Sequence, residues 1–179
     1  NQLTEQGQLS IGAPQFEKAG FDATQPMILS YYNVRTFEGL RSDAFTLKTR
    51  IKFDDLQNVV CPYAEIKIID EKDASWLGLT DKGCVSNLYL KIGKTMLKGM
   101  ENDFSKLSGD MATWQNIEIV SQNGTLQYFV NDVLALDVPL EGVEGRIMGL
   151  IFTFTGKGVV DFVTLTNAQG KLVYSADFE

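Results

Sequence analysis

The sequence predicts an all-β protein, an antiparallel two-sheet jelly-roll sandwich, and three observations carry that prediction. Apolar and polar residues alternate with period two through most of the chain, the pattern of strands with one buried and one solvated face. Turn residues recur between these runs, with 16 glycines against only 4 prolines, as many tight turns require. Helical periodicity is nearly missing: only residues 53–58 and 101–107 offer a turn or two of helix.

Residues 1–26 are polar and carry Gly7, Gly12, Pro14, Gly20 and Pro26, so they read as a loosely structured N-terminal arm with one strand at 9–11. Phe45, Leu47, Ile51 and Phe53 then fall on one face of a strand, with Thr46, Lys48, Arg50 and Lys52 on the other. Residues 64–69 repeat the pattern, setting Glu65 and Lys67 opposite Ile66 and Ile68. Strands follow at 75–80 and 84–92; in the second, Leu88, Leu90 and Ile92 face away from Tyr89 and Lys91. Residues 114–120 lead through Gln122-Asn123-Gly124 into 125–130, and Asn-Gly favours the positive φ angles of a type I′ hairpin turn. A second tight turn at Asn131-Asp132 opens a strand at 133–138. Strands at 146–155 and 159–166 flank a turn at Gly156-Lys157-Gly158, and Asn167-Ala168-Gln169-Gly170 turns into a last strand at 171–178. Roughly ten to twelve strands at this spacing fit a sandwich. With no internal repeat and no low-complexity linker, residues 1–179 read as a single domain.

Composition removes several function classes. Acidic residues outnumber basic ones 23 to 16, for a net charge of -7, and no basic patch interrupts them, so no nucleic-acid partner is expected. Histidine is absent, which excludes His-dependent triads, His-ligated zinc and an imidazole pH switch. The longest apolar runs, such as 147–154, fall far short of the roughly 20 residues that span a bilayer as a helix, so no membrane insertion is expected. No signal segment precedes Asn1, which reads as a mature or trimmed chain, or a cytoplasmic one.

Several motifs are imitations. Gly93-Lys94-Thr95 looks like the end of a phosphate-binding loop, but Leu88 stands where the first glycine belongs. Asn123-Gly124-Thr125 fits a glycosylation acceptor, yet the hairpin turn explains the same residues. No metal site is expected, and of the weak candidates Asp70, Glu71 and Asp73, or Asn131, Asp132 and Asp137, none has a recognised calcium-loop spacing. Calcium built from oxygens alone stays open as a cofactor, against plain turn chemistry from Asp and Asn. Cys61 and Cys84 are the only cysteines, and they read either as one disulfide or as two buried thiols.

The order Trp114-x-x-Ile117-x-Ile119, Asn123-Gly124, Tyr128-Phe129-Val130-Asn131-Asp132, Gly145-Arg146-Ile147-x-Gly149-Leu150 and Val160-Asp161-Phe162-Val163 resembles the concanavalin A-like lectin/glucanase superfamily. The nearest layouts are laminin-G-like modules and the 3-keto-disaccharide hydrolase family, which Ala64-Glu65-Ile66-Lys67-Ile68-Ile69-Asp70 also resembles. The resemblance implies sugars as ligands, bound on a sheet face. The superfamily's glucanases carry Glu-x-Asp-x-Glu on one strand, where alternation aligns the carboxylates for glycoside cleavage. Here Glu71-Lys72-Asp73-Ala74-Ser75 and Glu101-Asn102-Asp103-Phe104-Ser105 both end in Ser and fall in turns, so a retaining glucanase is not expected.

The expected function is therefore a non-catalytic carbohydrate-binding or adhesion module of a secreted, periplasmic or cell-surface bacterial protein. Two alternatives stand beside it: an enzyme like the 3-keto-disaccharide hydrolases with Glu65 as acid or base, and a laminin-G-like module whose partner is a protein. Pyranose C–H faces stack on aromatic rings while amides, carboxylates and ammonium groups take the hydroxyls. The candidate ligand-binding residues are Tyr63, Glu65 and Lys67 on one strand face, Tyr89 and Lys91 on another, and Trp76 at the rim. Trp76 also fits the core, given the apolar stretch Trp76-Leu77-Gly78-Leu79, and Trp114 reads as structural.

Overall fold

The computed structural model describes residues 2–5, 8–11, 28–34, 37, 39–56 and 59–177. In chain order the strands are β1 (Gln2–Glu5), β2 (Gln8–Ile11), β3 (Ile28–Val34), β4 (Phe45–Asp55), β5 (Tyr63–Asp70), β6 (Ala74–Asp81), β7 (Tyr89–Ile92) and β8 (Thr95–Lys98). They continue as β9 (Ser108–Gly109), β10 (Gln115–Gln122), β11 (Thr125–Val130), β12 (Val133–Pro139), β13 (Ile147–Thr155), β14 (Lys157–Asn167) and β15 (Leu172–Ala176). An eight-stranded sheet runs β1-β2-β14-β4-β10-β11-β12, with β15 also pairing β14. The facing seven-stranded sheet runs β3-β13-β5-β6-β7-β8, with β9 beside β6. Every pairing is antiparallel except the short β6–β9 contact. The protein is all-β, two packed antiparallel sheets. Among the described residues no helix is long and apolar enough to cross a membrane.

The alternation in the sequence explains the layering. Phe45, Leu47, Ile51 and Phe53 of β4 and Ile117 and Ile119 of β10 meet Ile66, Ile68, Leu77, Leu79, Phe152 and Phe154 from the other sheet, all at most 3% exposed. Burying each such side chain stabilises the fold by about 1.5–3 kcal/mol. Thr49 shares the inward face of β4 and satisfies its hydroxyl by donating to the Phe162 carbonyl at 2.6 Å. Phe53 and Phe154 pack edge-to-face across the core, 5.3 Å between centroids. The Phe154 ring also lies on the bare Cα of Gly158, where a Cβ would come within 2.1 Å of it.

Both foreseen hairpin turns form in the left-handed region, Asn123 and Gly124 at φ 52° and 76°, Asn131 and Asp132 at φ 50° and 64°. Other expectations need correction. Residues 53–55 are the end of β4 rather than a helix, because Phe53 keeps the strand's inward alternation; residues 57 and 58 lie outside the described residues. The second helical candidate reduces to a 3₁₀ turn at Ser105–Leu107, closed by the Leu107 N–H on the Phe104 carbonyl. The strand expected at 84–92 begins only at Tyr89, after a 3₁₀ turn at Val85–Asn87. The foreseen strand at 9–11 lies within β2, but β1 and β3 were not anticipated, and residues 12–27 of the expected arm lie outside the described ones. Cys61 and Cys84 form a disulfide with Cα atoms 5.5 Å apart, tying the entry of β5 to the exit of β6.

Candidate functional site

Alternation on β5 sends Ala64, Ile66 and Ile68 into the core, so Tyr63, Glu65 and Lys67 emerge together on the outer face of the seven-stranded sheet. On β6, Leu77 and Leu79 point inward and Trp76 therefore points out, half-buried on that same face. Register then assembles a row: Lys67 stands opposite Trp76, and Trp76 opposite Lys91 of β7. The two ammonium groups flank the indole, Lys67 Nζ at 5.9 Å and Lys91 Nζ at 5.2 Å from the ring centroid, within cation–π range. Each lysine is held by a carboxylate, Lys67 by Glu65 at 2.9 Å and Lys91 by Asp73 at 2.5 Å. The core alternative for Trp76 does not hold.

Glu65 is only 8% exposed. A carboxylate that deep needs partners, and it has two: the Lys67 ammonium and the Tyr63 hydroxyl, which donates to Oε2. Burial first, then the Glu65 charge and this hydrogen bond, push the Tyr63 phenol far above its ordinary pKa, so it stays a protonated donor. Gly78 makes the arrangement fit. The Tyr63 ring lies over it, and a Cβ at Gly78 would sit 2.6 Å from Tyr63 Cε2. Sequence reasoning missed Gly78, although a glycine inside a strand is itself a sign of close approach.

Beyond this row, Cys61, Tyr63, Thr80, Asn87, Leu88 and Tyr89 line a half-open recess of about 270 Å³. Tyr89, two residues from Lys91 on β7, is 50% exposed at its edge. All six candidate ligand-binding residues thus share one sheet face, Tyr63 joining the row to the recess.

The acidic candidates serve the loops. Asp70 Oδ1 accepts the backbone N–H groups of Lys72 and Asp73, both at 2.8 Å. Glu71 accepts from the Arg146 guanidinium at 2.6 Å and from its backbone N–H at 3.1 Å, contacts that hold its carboxyl below the usual range. Asp73 is held low by the Lys91 ammonium and by the Ala74 N–H. Asn131 joins Asn116 N–H to Gln115 at its turn, and Asp137 accepts from Gln127 at 3.1 Å. Among the described residues no group of three such side chains converges as a metal site. Trp114 lies over Arg50 and Lys52 on the other sheet, 4.8 and 4.9 Å from their charged atoms.

No protein-family model matches the chain, and no curated protein matches it in sequence. Solved structures match its fold. One, from work on endo-acting O-glycanases that prominent members of the human gut microbiota express to initiate mucin breakdown, superposes with a TM-score of 0.64 at 9% identity, over 93% of this chain and 82% of that one. A GlcNAcα1-4Gal-releasing endo-β-galactosidase from Clostridium perfringens gives 0.59 at 8% identity, over 95% of this chain and 54% of that one. A sialidase gives 0.52 at 12% identity over 89% of this chain, which spans only 15% of the sialidase. With the two antiparallel sheets, these likenesses define the class: the chain has the concanavalin A-like jelly-roll fold.

Proposed function

We propose that the domain is a non-catalytic carbohydrate-binding module of a secreted or envelope protein, binding on the outer face of the seven-stranded sheet. The observation that carries the reading is the Lys67–Trp76–Lys91 row: a half-buried indole between two ammonium groups, beside a buried carboxylate. A pyranose ring stacking on the indole takes the place of one of the ammonium groups over it, and Lys67 and Lys91 offer donors to its hydroxyls, with Glu65 holding Lys67 from behind. The row as a whole is neutral, two ammonium groups against Glu65 and Asp73. The structural neighbours named for O-glycan and galactoside cleavage support sugars as the ligand class. The Cys61–Cys84 bridge supports an oxidising compartment outside the cytoplasm.

The catalytic alternative draws less support. Glycoside cleavage needs two carboxyl groups about 5–9.5 Å apart across the scissile bond. Glu65 is occupied by Tyr63 and Lys67, and among the described residues its neighbours across the strands are Thr153 and Gly78, not a second carboxylate.

A glycan array with the purified domain, run with and without calcium, tests the proposal. Binding that survives chelation is the expected result, since Asp70, Glu71 and Asp73 are engaged by backbone amides, Arg146 and Lys91. Trp76→Ala is expected to abolish binding and Glu65→Gln to weaken it, with Trp114→Ala leaving it intact. Loss of binding in Trp114→Ala alone would move the site to the other sheet, and a blank array would favour a protein partner.

A further inference from the structure

We infer that the recess between Tyr63 and Tyr89 is a subsite for the acetamido group of an N-acetylated hexosamine whose neighbouring sugar lies on Trp76. This rests on the carbohydrate-binding reading above. Tyr63 makes the two places continuous, because its hydroxyl reaches Glu65 in the row while its ring helps wall the recess. At about 270 Å³ the recess falls just under the roughly 300 Å³ at which small-molecule pockets begin. It holds one substituent or one ring, not a chain.

The chemistry of its walls selects among substituents. Two phenol rings, half of the disulfide and Leu88 make most of the lining apolar. The polar groups nearby are largely committed: the Tyr63 hydroxyl donates to Glu65, and the Thr80 hydroxyl donates to the Pro62 carbonyl at 2.8 Å. What remains is the exposed Asn87 side chain, whose backbone N–H closes the 3₁₀ turn on Cys84, and the hydroxyl of Tyr89. Among the described residues neither of these side-chain groups has a hydrogen-bond partner. A plain sugar hydroxyl could meet Asn87 or Tyr89 but would leave the apolar walls with nothing packed against them. A carboxylate, sulfate or phosphate would find no cation in the lining. An acetamido group satisfies both requirements. Its methyl packs against the rings and sulfur, and its amide offers a donor and an acceptor that a carboxamide matches in both senses.

Matched disaccharides test this: cellobiose against N,N′-diacetylchitobiose, and lactose against N-acetyllactosamine, titrated by calorimetry and followed by NMR. The acetylated member of at least one pair is expected to bind about tenfold more tightly, one well-made amide contact with its packing. Asn87→Ala should bring it down to the level of its plain partner with an unchanged melting temperature, since that side chain is exposed. Intermolecular NOEs should run from the acetamido methyl to the Tyr63 and Tyr89 ring protons. Equal affinity within each pair, or methyl contacts to Trp76 instead, overturns the subsite. If such binding still vanishes in Trp76→Ala, the carbohydrate reading survives without it. Binding to none of the four together with a blank glycan array overturns both.

Discussion

Trp76 and Trp114 lie on opposite outer faces of the sandwich, each within 6 Å of two cations, yet their surroundings differ. Arg50 and Lys52 come from one strand two residues apart, and Trp114, just ahead of β10, covers both. Arg50 also grips Asp161 at 2.5 Å, and the face is closed by cross-strand pairs such as Lys48–Glu118 at 3.1 Å. Around Trp76 the cations come from the two flanking strands, so the ring lies between them. Its own strand continues into Gly78, and the recess opens further along. A tryptophan among cations is therefore common to both faces. The recess walled by Tyr63 and Tyr89 lies on the Trp76 face.

Breaking the wall of that space should have the largest effect. Replacing Cys61 and Cys84 together by Ser removes a cross-link between residues 23 apart. The chain-entropy estimate for a loop of that size is about 3 kcal/mol. Urea unfolding should show a loss of unfolding free energy of that order, read as a lower midpoint, and sugar affinity should fall because the recess loses one side. Affinity unchanged in the folded variant would separate the recess from binding.

Gly78→Ala is expected next in size. The new methyl must displace the Tyr63 ring, at a cost of about 1–3 kcal/mol for overpacking. It also pulls the phenol from Glu65, leaving that carboxylate with Lys67 as its ion-pair partner. Sugar binding should weaken together with the melting temperature. A stable variant with full affinity would show that Tyr63 plays no part in positioning Glu65.

What the sequence made legible follows from where the physics is local. Asn123-Gly124 and Asn131-Asp132 carry their turn geometry in their own backbone preferences, so those hairpins were readable. The inward rows of β4 and β5 were readable because period two survives wherever one face is wet. β1 was not, because Gln2–Glu5 carries little apolar signal and is a strand through its pairing with β2 at a sheet edge. The end of β4 read as helix because Asp54-Asp55-Leu56 breaks the alternation where the strand leaves the core. At the site, the spacing of Tyr63, Glu65 and Lys67 gave a shared face, but not that Trp76 would fall between Lys67 and Lys91. That is a matter of register, set by pairings across three strands. Gly78 beneath Tyr63 is likewise a cross-strand fact.

Tyr128 offers a smaller test, inside the core that separates the two faces. Its hydroxyl is fully buried and has no hydrogen-bond partner among the described residues. Tyr128→Phe should stabilise the fold by up to about 1 kcal/mol, since an unpaired hydroxyl gives nothing back for its desolvation. Burial also pushes this phenol well above its ordinary pKa, as burial and Glu65 do for Tyr63. Unfolded tyrosines ionise near pH 10 while these two stay neutral, so above that pH the unfolded state binds fewer protons and stability falls. The alkaline loss should be shallower in Tyr128→Phe. An equally steep limb would place the effect elsewhere.

The smallest effect compares one surface ion pair from each sheet. Asp73 with Lys91 lies beside Trp76, and Asp54 with Lys157 lies on the eight-stranded sheet, each at 2.5 Å. The lysine hydrogen bond holds both carboxyls below their usual range. A depressed native pKa gives stability that is present above the unfolded value, near pH 4, and lost as pH falls through the native one. Asp73→Asn and Asp54→Asn should each lower the melting temperature slightly at pH 7, by the small amount exposed pairs contribute, and leave it nearly unchanged well below pH 4, so that the acid limb is flatter. The two should part in a different measurement. Asp73→Asn frees the Lys91 ammonium beside the indole, so Trp76 emission and sugar affinity should both change, whereas Asp54→Asn should move neither. If both variants leave sugar affinity alone, Lys91 does not meet the ligand. The binding face would then narrow to Trp76, Lys67, Glu65 and the recess.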